Sequence, residues 1–236
     1  MRPKLFVLVV AIIAAMFFCG GCTRPVTTLS PTVLPTASGL DTSHPLWVVL
    51  LDVSGSQSEQ RARMDNARAF RGLAHTWFKK HPDTSLEVRF FKFWATSSDV
   101  GSVTVKRDSD PALLGKLQEY MDGIDKQDLQ KGTYLQQGLT SALEVIRANA
   151  GREVDVVGLT DGILNDWDTA ETQKALTESA EVVATSSNVR WTAFFQVSDA
   201  LEYRKHLDQM LQPLQREKKL HVASGEVKSL YEEVVQ

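Results

Sequence analysis

The chain has 236 residues, of which 43% are apolar and 23% charged, and its formal net charge is −3. That length accommodates one ordinary domain with an export segment and is short for two domains. The small acidic balance excludes a protein built to neutralise phosphates, so nucleic acid is not expected as a partner.

Arg2 and Lys4 precede an unbroken apolar run over 5–18. A basic start, an apolar core and then small residues form the layout of a secretory signal peptide, and the run is too short to span a bilayer comfortably. The alternative is an uncleaved N-terminal anchor. Both cysteines of the chain, Cys19 and Cys22, fall directly behind this run. The rest of the chain therefore has no disulfide, no thiolate metal site and no cysteine nucleophile.

The sequence Cys19-Gly20-Gly21-Cys22 resembles the lipobox of bacterial lipoproteins. The resemblance implies that residues 1–21 are removed and that Cys22 is lipidated and becomes the first mature residue. Cys19 departs from the pattern, which has an aliphatic residue there. Thr23 stands where that family's inner-membrane retention signal has Asp, which favours the outer membrane. Residues 22–45 follow with Pro25, Pro31, Pro35 and Pro45 among many Thr and Ser. No apolar period is present, so the segment reads as a linker that holds the next domain off a membrane, or as disorder without a selected length.

The domain is expected over 46–236. Residues 46–51 are apolar throughout and end at Asp52, the mark of a strand buried on both faces. A helix is predicted over 58–80, because Ala62, Met64, Ala67, Phe70, Leu73, Ala74 and Trp77 recur at three- and four-residue steps. Strands follow over 86–94 and 102–106, joined by a hairpin-type turn that makes the second antiparallel. Helices are predicted over 111–124, opened by a proline, and over 135–149. An apolar strand over 154–159, a helix over 168–185 and a strand over 189–197 come next. A helix over 200–214, a short strand over 220–222 and a final helix over 227–235 complete the chain. Strands alternating with helices call for an α/β fold: a doubly wound, mostly parallel sheet with helices on both faces and one antiparallel edge strand.

In such a sheet ligands sit outside the carboxyl ends of the strands. Those ends carry Asp52-Val53-Ser54-Gly55-Ser56 and Thr160-Asp161-Gly162, and Gly132-Thr133 precedes the helix at 135. Two carboxylates and three hydroxyls are hard oxygen donors. They suit a small hard cation and do not suit zinc, which prefers imidazole and thiolate. The two-residue spacing of Asp52, Ser54 and Ser56 places them on one side of an extended strand end.

These three segments, in this order, resemble the metal-ion-dependent adhesion site of the von Willebrand factor type A family, a Rossmann-like fold, and the resemblance covers about residues 46–235. It implies that Ser54, Ser56 and Thr133 are direct hydroxyl ligands. Asp52 and Asp161 bind directly or through water and hold the hydroxyls in place. The implied ion is Mg²⁺, or Mn²⁺ or Ca²⁺, and its open position accepts a Glu or Asp from a protein partner. The whole is then a lipid-anchored binding module of the bacterial envelope, in adhesion or complex assembly, and not an enzyme. Each piece also has a plainer reading: helix caps at Asp52–Ser56 and Thr133, and a turn at Thr160–Gly162.

Two alternatives have sequence support. One is a structural lipoprotein whose metal only stabilises the fold. The other is a metal-dependent phosphatase of the haloacid dehalogenase type, with Asp52 at the end of its first strand, but Ser54 stands where that chemistry needs a second Asp. The five histidines are scattered and form no triad or zinc spacing. Trp167, in a loop beside Asp166, and Tyr134, next to Thr133, are candidate partner contacts. Asp168 reads as a helix cap, and Trp47, Phe91, Phe93 and Trp191 read as core.

Overall fold

The structure is a computed structural model and describes residues 44–58, 60–122, 132–164, 169–195 and 201–222. The signal-peptide segment, Cys22, the linker as far as residue 43, Asp166, Trp167, Asp168 and the helix expected over 227–235 lie outside the described residues.

In chain order the elements are β1 (Leu46–Asp52), a 3-10 turn (Gly55–Ser58), α1 (Gln60–Lys80), β2 (Leu86–Phe93), β3 (Ser97–Val105), α2 (Pro111–Asp122) and α3 (Leu135–Ala148). Then come β4 (Val154–Leu159), α4 (Ala170–Thr185), β5 (Val189–Phe195), α5 (Leu201–Met210), α6 (Gln212–Arg216) and β6 (Leu220–Val222). The strands form one sheet in the order β3-β2-β1-β4-β5-β6. Every pair is parallel except β2 with β3. This is the expected α/β architecture, with the antiparallel strand at one edge.

Helices cover both faces. Trp47, Val49 and Leu51 of β1 point into one apolar layer with Phe70, Leu73 and Trp77 of α1 and Leu113 and Leu117 of α2. Leu46, Val48 and Leu50 point into the other, with Leu139 and Ile146 of α3, Val183 of α4 and Leu207 of α5. Both layers take alternate residues of one strand, which is why β1 is apolar at every position before Asp52. Trp47 anchors the first layer through edge-on contacts to Phe70, Trp77 and Trp191, at centroid distances of 5.8, 6.0 and 5.4 Å. The four residues read as core, Trp47, Phe91, Phe93 and Trp191, are all buried.

One glycine is required by packing. A Cβ added to Gly158 of β4 would lie 1.8 Å from Cδ1 of Phe194, its partner on β5. No side chain fits there without displacing that ring.

Three elements differ from the sequence expectation. β3 begins at Ser97, not near 102, because its first half is a polar, half-exposed edge that carries no apolar signal. The helix expected over 200–214 is two helices, with Pro213 in the first turn of the second. The buried stripe of α1 includes Arg63, Asn66 and Ala69, whereas Ala62 and Met64 are only half-buried.

Candidate functional site

β1 is flanked by β2 and β4, and the three end almost level. Asp52 is opposite Phe93, and Leu51 is opposite both Lys92 and Leu159. The carboxyl ends of adjacent strands therefore deliver Asp52–Ser56 and Thr160–Gly162 to one edge of the sheet.

Asp52 is fully buried at the last position of β1. Its Oδ1 accepts the Ser54 amide at 2.9 Å, and its Oδ2 accepts the Thr160 hydroxyl at 2.7 Å. The first bond turns the chain out of the strand. The 3-10 turn at Gly55–Ser58 then brings the Ser56 hydroxyl to 3.0 Å from that of Ser54. This corrects the spacing argument from the sequence: the strand does not continue through Ser56, and a turn makes the two hydroxyls neighbours. Ser54 is buried and Ser56 exposed, so the pair leads from the interior to the surface.

Asp161 follows β4 and is half-buried. Its Oδ1 accepts the Ile163 amide at 2.9 Å, while the Thr160 hydroxyl accepts the Gly162 amide at 3.1 Å. Gly162 has φ 73°, the left-handed conformation that glycine adopts without strain. The segment is thus a tight turn, and it leaves the Asp161 carboxylate near enough for its charge to act on Asp52.

Burial and the Asp161 charge push the Asp52 carboxyl up to about 7, against the Ser54 and Thr160 hydrogen bonds, which favour its ionised form. Asp161 is also raised by burial, opposed by the Ile163 amide and the Ser56 hydroxyl. The two carboxylates repel one another, with Asp52 buried and Asp161 half-buried. A cation between them would relieve that repulsion, and the hydroxyls of Ser54, Ser56 and Thr160 are oxygen donors beside them. Among the described residues no group of three or more His, Cys, Asp or Glu is arranged to hold a metal, so this mixed set of two acids and hydroxyls is the chemistry on offer.

Thr133 is buried at the same sheet end, between Gly132 (φ 73°) and Tyr134. The Tyr134 amide donates to the Trp94 carbonyl at 3.2 Å, one residue past β2, and the Val53 amide donates to the Phe93 carbonyl at 3.1 Å. The end of β2 thereby ties the Thr133 segment to the Asp52 segment. Thr133 does not cap α3: the capping position is Tyr134, whose side chain does not cap the helix. The cap of α4 is Thr169, whose hydroxyl accepts the Thr172 amide at 3.3 Å. Tyr134 is half-buried beside the site, and Trp167 lies outside the described residues.

The sequence reading quoted Thr160 within a motif and gave it no role. Its signal was available: it is the hydroxyl directly before Asp161 at a strand end. It also missed Tyr120, fully buried on α2, whose hydroxyl donates to the Asp52 carbonyl at 3.3 Å. Burial raises this phenol above its ordinary range, so it is a neutral donor.

No protein-family model matches the chain, and no curated protein matches its sequence. Solved structures match its fold. The PilB minor pilin from Streptococcus sanguinis aligns with a TM-score of 0.56 at 10% identity, over 81% of this chain and 59% of that one. The pilus adhesin SpaC from Lactobacillus rhamnosus GG gives 0.53 at 17% identity, over 81% and 30%. An aerotolerance-related membrane protein from Bacteroides fragilis NCTC 9343 gives 0.51 at 14% identity, over 81% of this chain and 96% of that one. This chain therefore spans 59% or less of the two pilus proteins and nearly all of the third. At these identities the likeness is one of fold.

Proposed function

We propose that this protein is a von Willebrand factor type A-like binding module that captures an acidic residue of a protein partner through a divalent cation, Mg²⁺ first among the candidates. The observation that carries the reading is the convergence of Asp52, Ser54, Ser56 and Asp161 at one sheet edge, with Asp52 and Asp161 close enough for the charge of one to raise the pKa of the other. Ser54, Ser56 and Thr133 would offer hydroxyl oxygens, and Asp52 and Asp161 would hold them or bind directly. When bound, the ion supplies an open coordination position for a partner's carboxylate. With only two acids in the set, that incoming carboxylate meets little net repulsion. Ser56, exposed at the mouth, lies nearest the arriving ligand.

A nucleophilic role for Asp52, as the phosphatase alternative requires, gains no support. Both of its oxygens are engaged by Ser54 and Thr160, and the side chain has no exposed surface. The lipidated Cys22 and the linker belong to the same proposal: a module tethered to the bacterial envelope, facing the periplasm or the outer membrane. Its place in adhesion or complex assembly is supported by its fold, shared with pilus and membrane-associated proteins.

Calorimetric titration of the full chain with MgCl₂ tests the site, and capture from the native envelope with and without EDTA tests the partner. One saturable Mg²⁺ site, lost in Asp52→Ala, and EDTA-sensitive capture lost in Ser56→Ala are the expected results. Mg²⁺ binding with capture unchanged in Ser56→Ala points instead to a metal that only stabilises the fold. Absence of Mg²⁺ and Mn²⁺ binding sinks the reading.

A further inference from the structure

Below the oxygen donors lies a second group of polar side chains, none of them a candidate ligand. Gln57 and Asn66 are fully buried, Tyr120 is 1% exposed and Arg63 7%. They sit where α1 and α2 pass under the turn that carries Ser54 and Ser56. Burying an amide or a phenol among apolar side chains is costly unless each polar atom is bonded. Leu at 66 and Phe at 120 would fill similar volumes without that cost.

The bonds all lead to the same place. The Tyr120 hydroxyl donates to the Asp52 carbonyl at 3.3 Å. Asn66 Nδ2 donates to the Tyr120 oxygen at 3.3 Å and to Gln57 Oε1 at 3.2 Å. Arg63 Nη1 donates to the Gln57 carbonyl at 2.6 Å and to the Ser58 carbonyl at 2.9 Å, and its Nε to the Met121 carbonyl at 3.0 Å. These bonds end on the 52–58 segment, on another member of the group, or on the end of α2 that carries Tyr120, and the Gln57 side chain also bonds Asp161. Asn66 Oδ1 has no partner among the described residues. A network retained for stability would be fully satisfied, because a partly satisfied one is worse than an apolar core.

We infer that Tyr120, Asn66 and Gln57 are positioning residues for the cation site, acting as a clamp that fixes the Asp52 backbone and the following turn before an ion arrives. The inference rests on the cation reading above. The physical need is clear in the turn itself. Four residues of 3-10 helix are too short to hold their own geometry, and the Gln57 amide ties their start to the Ser54 carbonyl at 3.0 Å. A small hard cation demands its oxygens at a narrow range of distance. The clamp supplies that precision from beneath, as outer partners of metal ligands commonly do.

The test uses the full chain, MgCl₂ titration by calorimetry, and melting in EDTA. Tyr120→Phe removes one oxygen, and Asn66→Leu removes the buried amide. Both are expected to weaken Mg²⁺ binding roughly tenfold or more. Asn66→Leu is expected to keep or raise the melting temperature in EDTA, a split that a merely structural role does not produce. In protein labelled with 3-fluorotyrosine, the fluorine resonance absent from Tyr120→Phe is expected to shift on Mg²⁺ saturation. Wild-type affinity in both variants, with no such shift, overturns the clamp and leaves the cation site standing. No Mg²⁺ binding by the wild-type chain overturns both.

Discussion

The Thr160 hydroxyl reaches across from the end of β4 to donate to Asp52 Oδ2 at the end of β1, at 2.7 Å and out of contact with water. This bond joins the two strands whose ends carry the acids of the site. Thr160→Val keeps the shape and deletes the bond. It leaves a buried carboxylate oxygen and the Gly162 amide without their partner. The expected loss is about 1–3 kcal/mol of folding free energy, read by urea denaturation in EDTA. A loss within error would mean that Asp52 is held in place by its Ser54 bond alone.

The pH dependence of the metal-free protein follows from Asp52. Its folded pKa, pushed up to about 7 by burial and the Asp161 charge, lies above the ordinary carboxylate value near 4. The protonated form is therefore favoured in the fold. Its contribution to stability is fully present below about pH 4 and is lost as pH rises through about 7. In EDTA, the stability of the wild type relative to Asp52→Asn is expected to fall by up to a few kcal/mol between about pH 4 and about pH 8. Denaturant melts of the two proteins across that range check it, and a pH-independent difference contradicts it. Added Mg²⁺ is expected to raise the wild-type melting temperature at neutral pH and to leave Asp52→Asn unmoved.

Gly158→Ala is expected to destabilise by roughly 3 kcal/mol, at the upper end for overpacking, because the new Cβ would overlap the Phe194 ring at 1.8 Å. Phe194→Leu in the same chain removes that ring and is expected to recover part of the loss. A double-mutant cycle by chemical denaturation measures the coupling. Additive losses would show that the ring is not what forbids a side chain at 158.

Arg152 holds the entrance of the domain. Its side chain is 1% exposed and pairs with Glu87 at 2.7 Å. It also donates through Nε to the His44 carbonyl and through Nη2 to the Pro45 carbonyl, the latter at 3.3 Å. Arg152→Met leaves the part-buried Glu87 carboxylate without its guanidinium partner, for an expected loss on the order of 3 kcal/mol. Arg152→Met with Glu87→Gln is expected to lose less than the single change. Limited proteolysis should also cut faster next to His44 in the single variant.

The parts of the fold legible in the sequence are those with a strong apolar signal. β1 is buried on both faces, so its sequence reads as a continuous apolar run, whereas the apolar runs of β4 and β5 are interrupted by Asp155, Arg190 and Thr192, the first two paired across the strands at 2.5 Å. The first half of β3 was hidden because a solvated edge strand resembles a loop in composition. The acids of the candidate site were legible for a related reason: Asp52 ends β1, and Asp161 follows Thr160 directly after β4. Bonds between distant segments were not legible. Thr160 meets Asp52 only because β4 lies beside β1, a pairing that chain order does not announce. Asn66 and Arg63 stand outside the apolar stripe expected of this helix, yet both are buried.

The Arg152 grip has a mechanical consequence. β1 begins one residue after Pro45 and ends at Asp52. A pull applied between the chain preceding His44 and a ligand held at Ser54 and Ser56 would run along the axis of that one strand. β2 and β4 flank it in parallel on both sides, so their ladders would be loaded lengthwise, all rungs together, instead of being unzipped one rung at a time. With tension entering at one end of the central strand and leaving at the other, the strands at the two edges of the sheet, β3 and the short β6, stay out of the line of force.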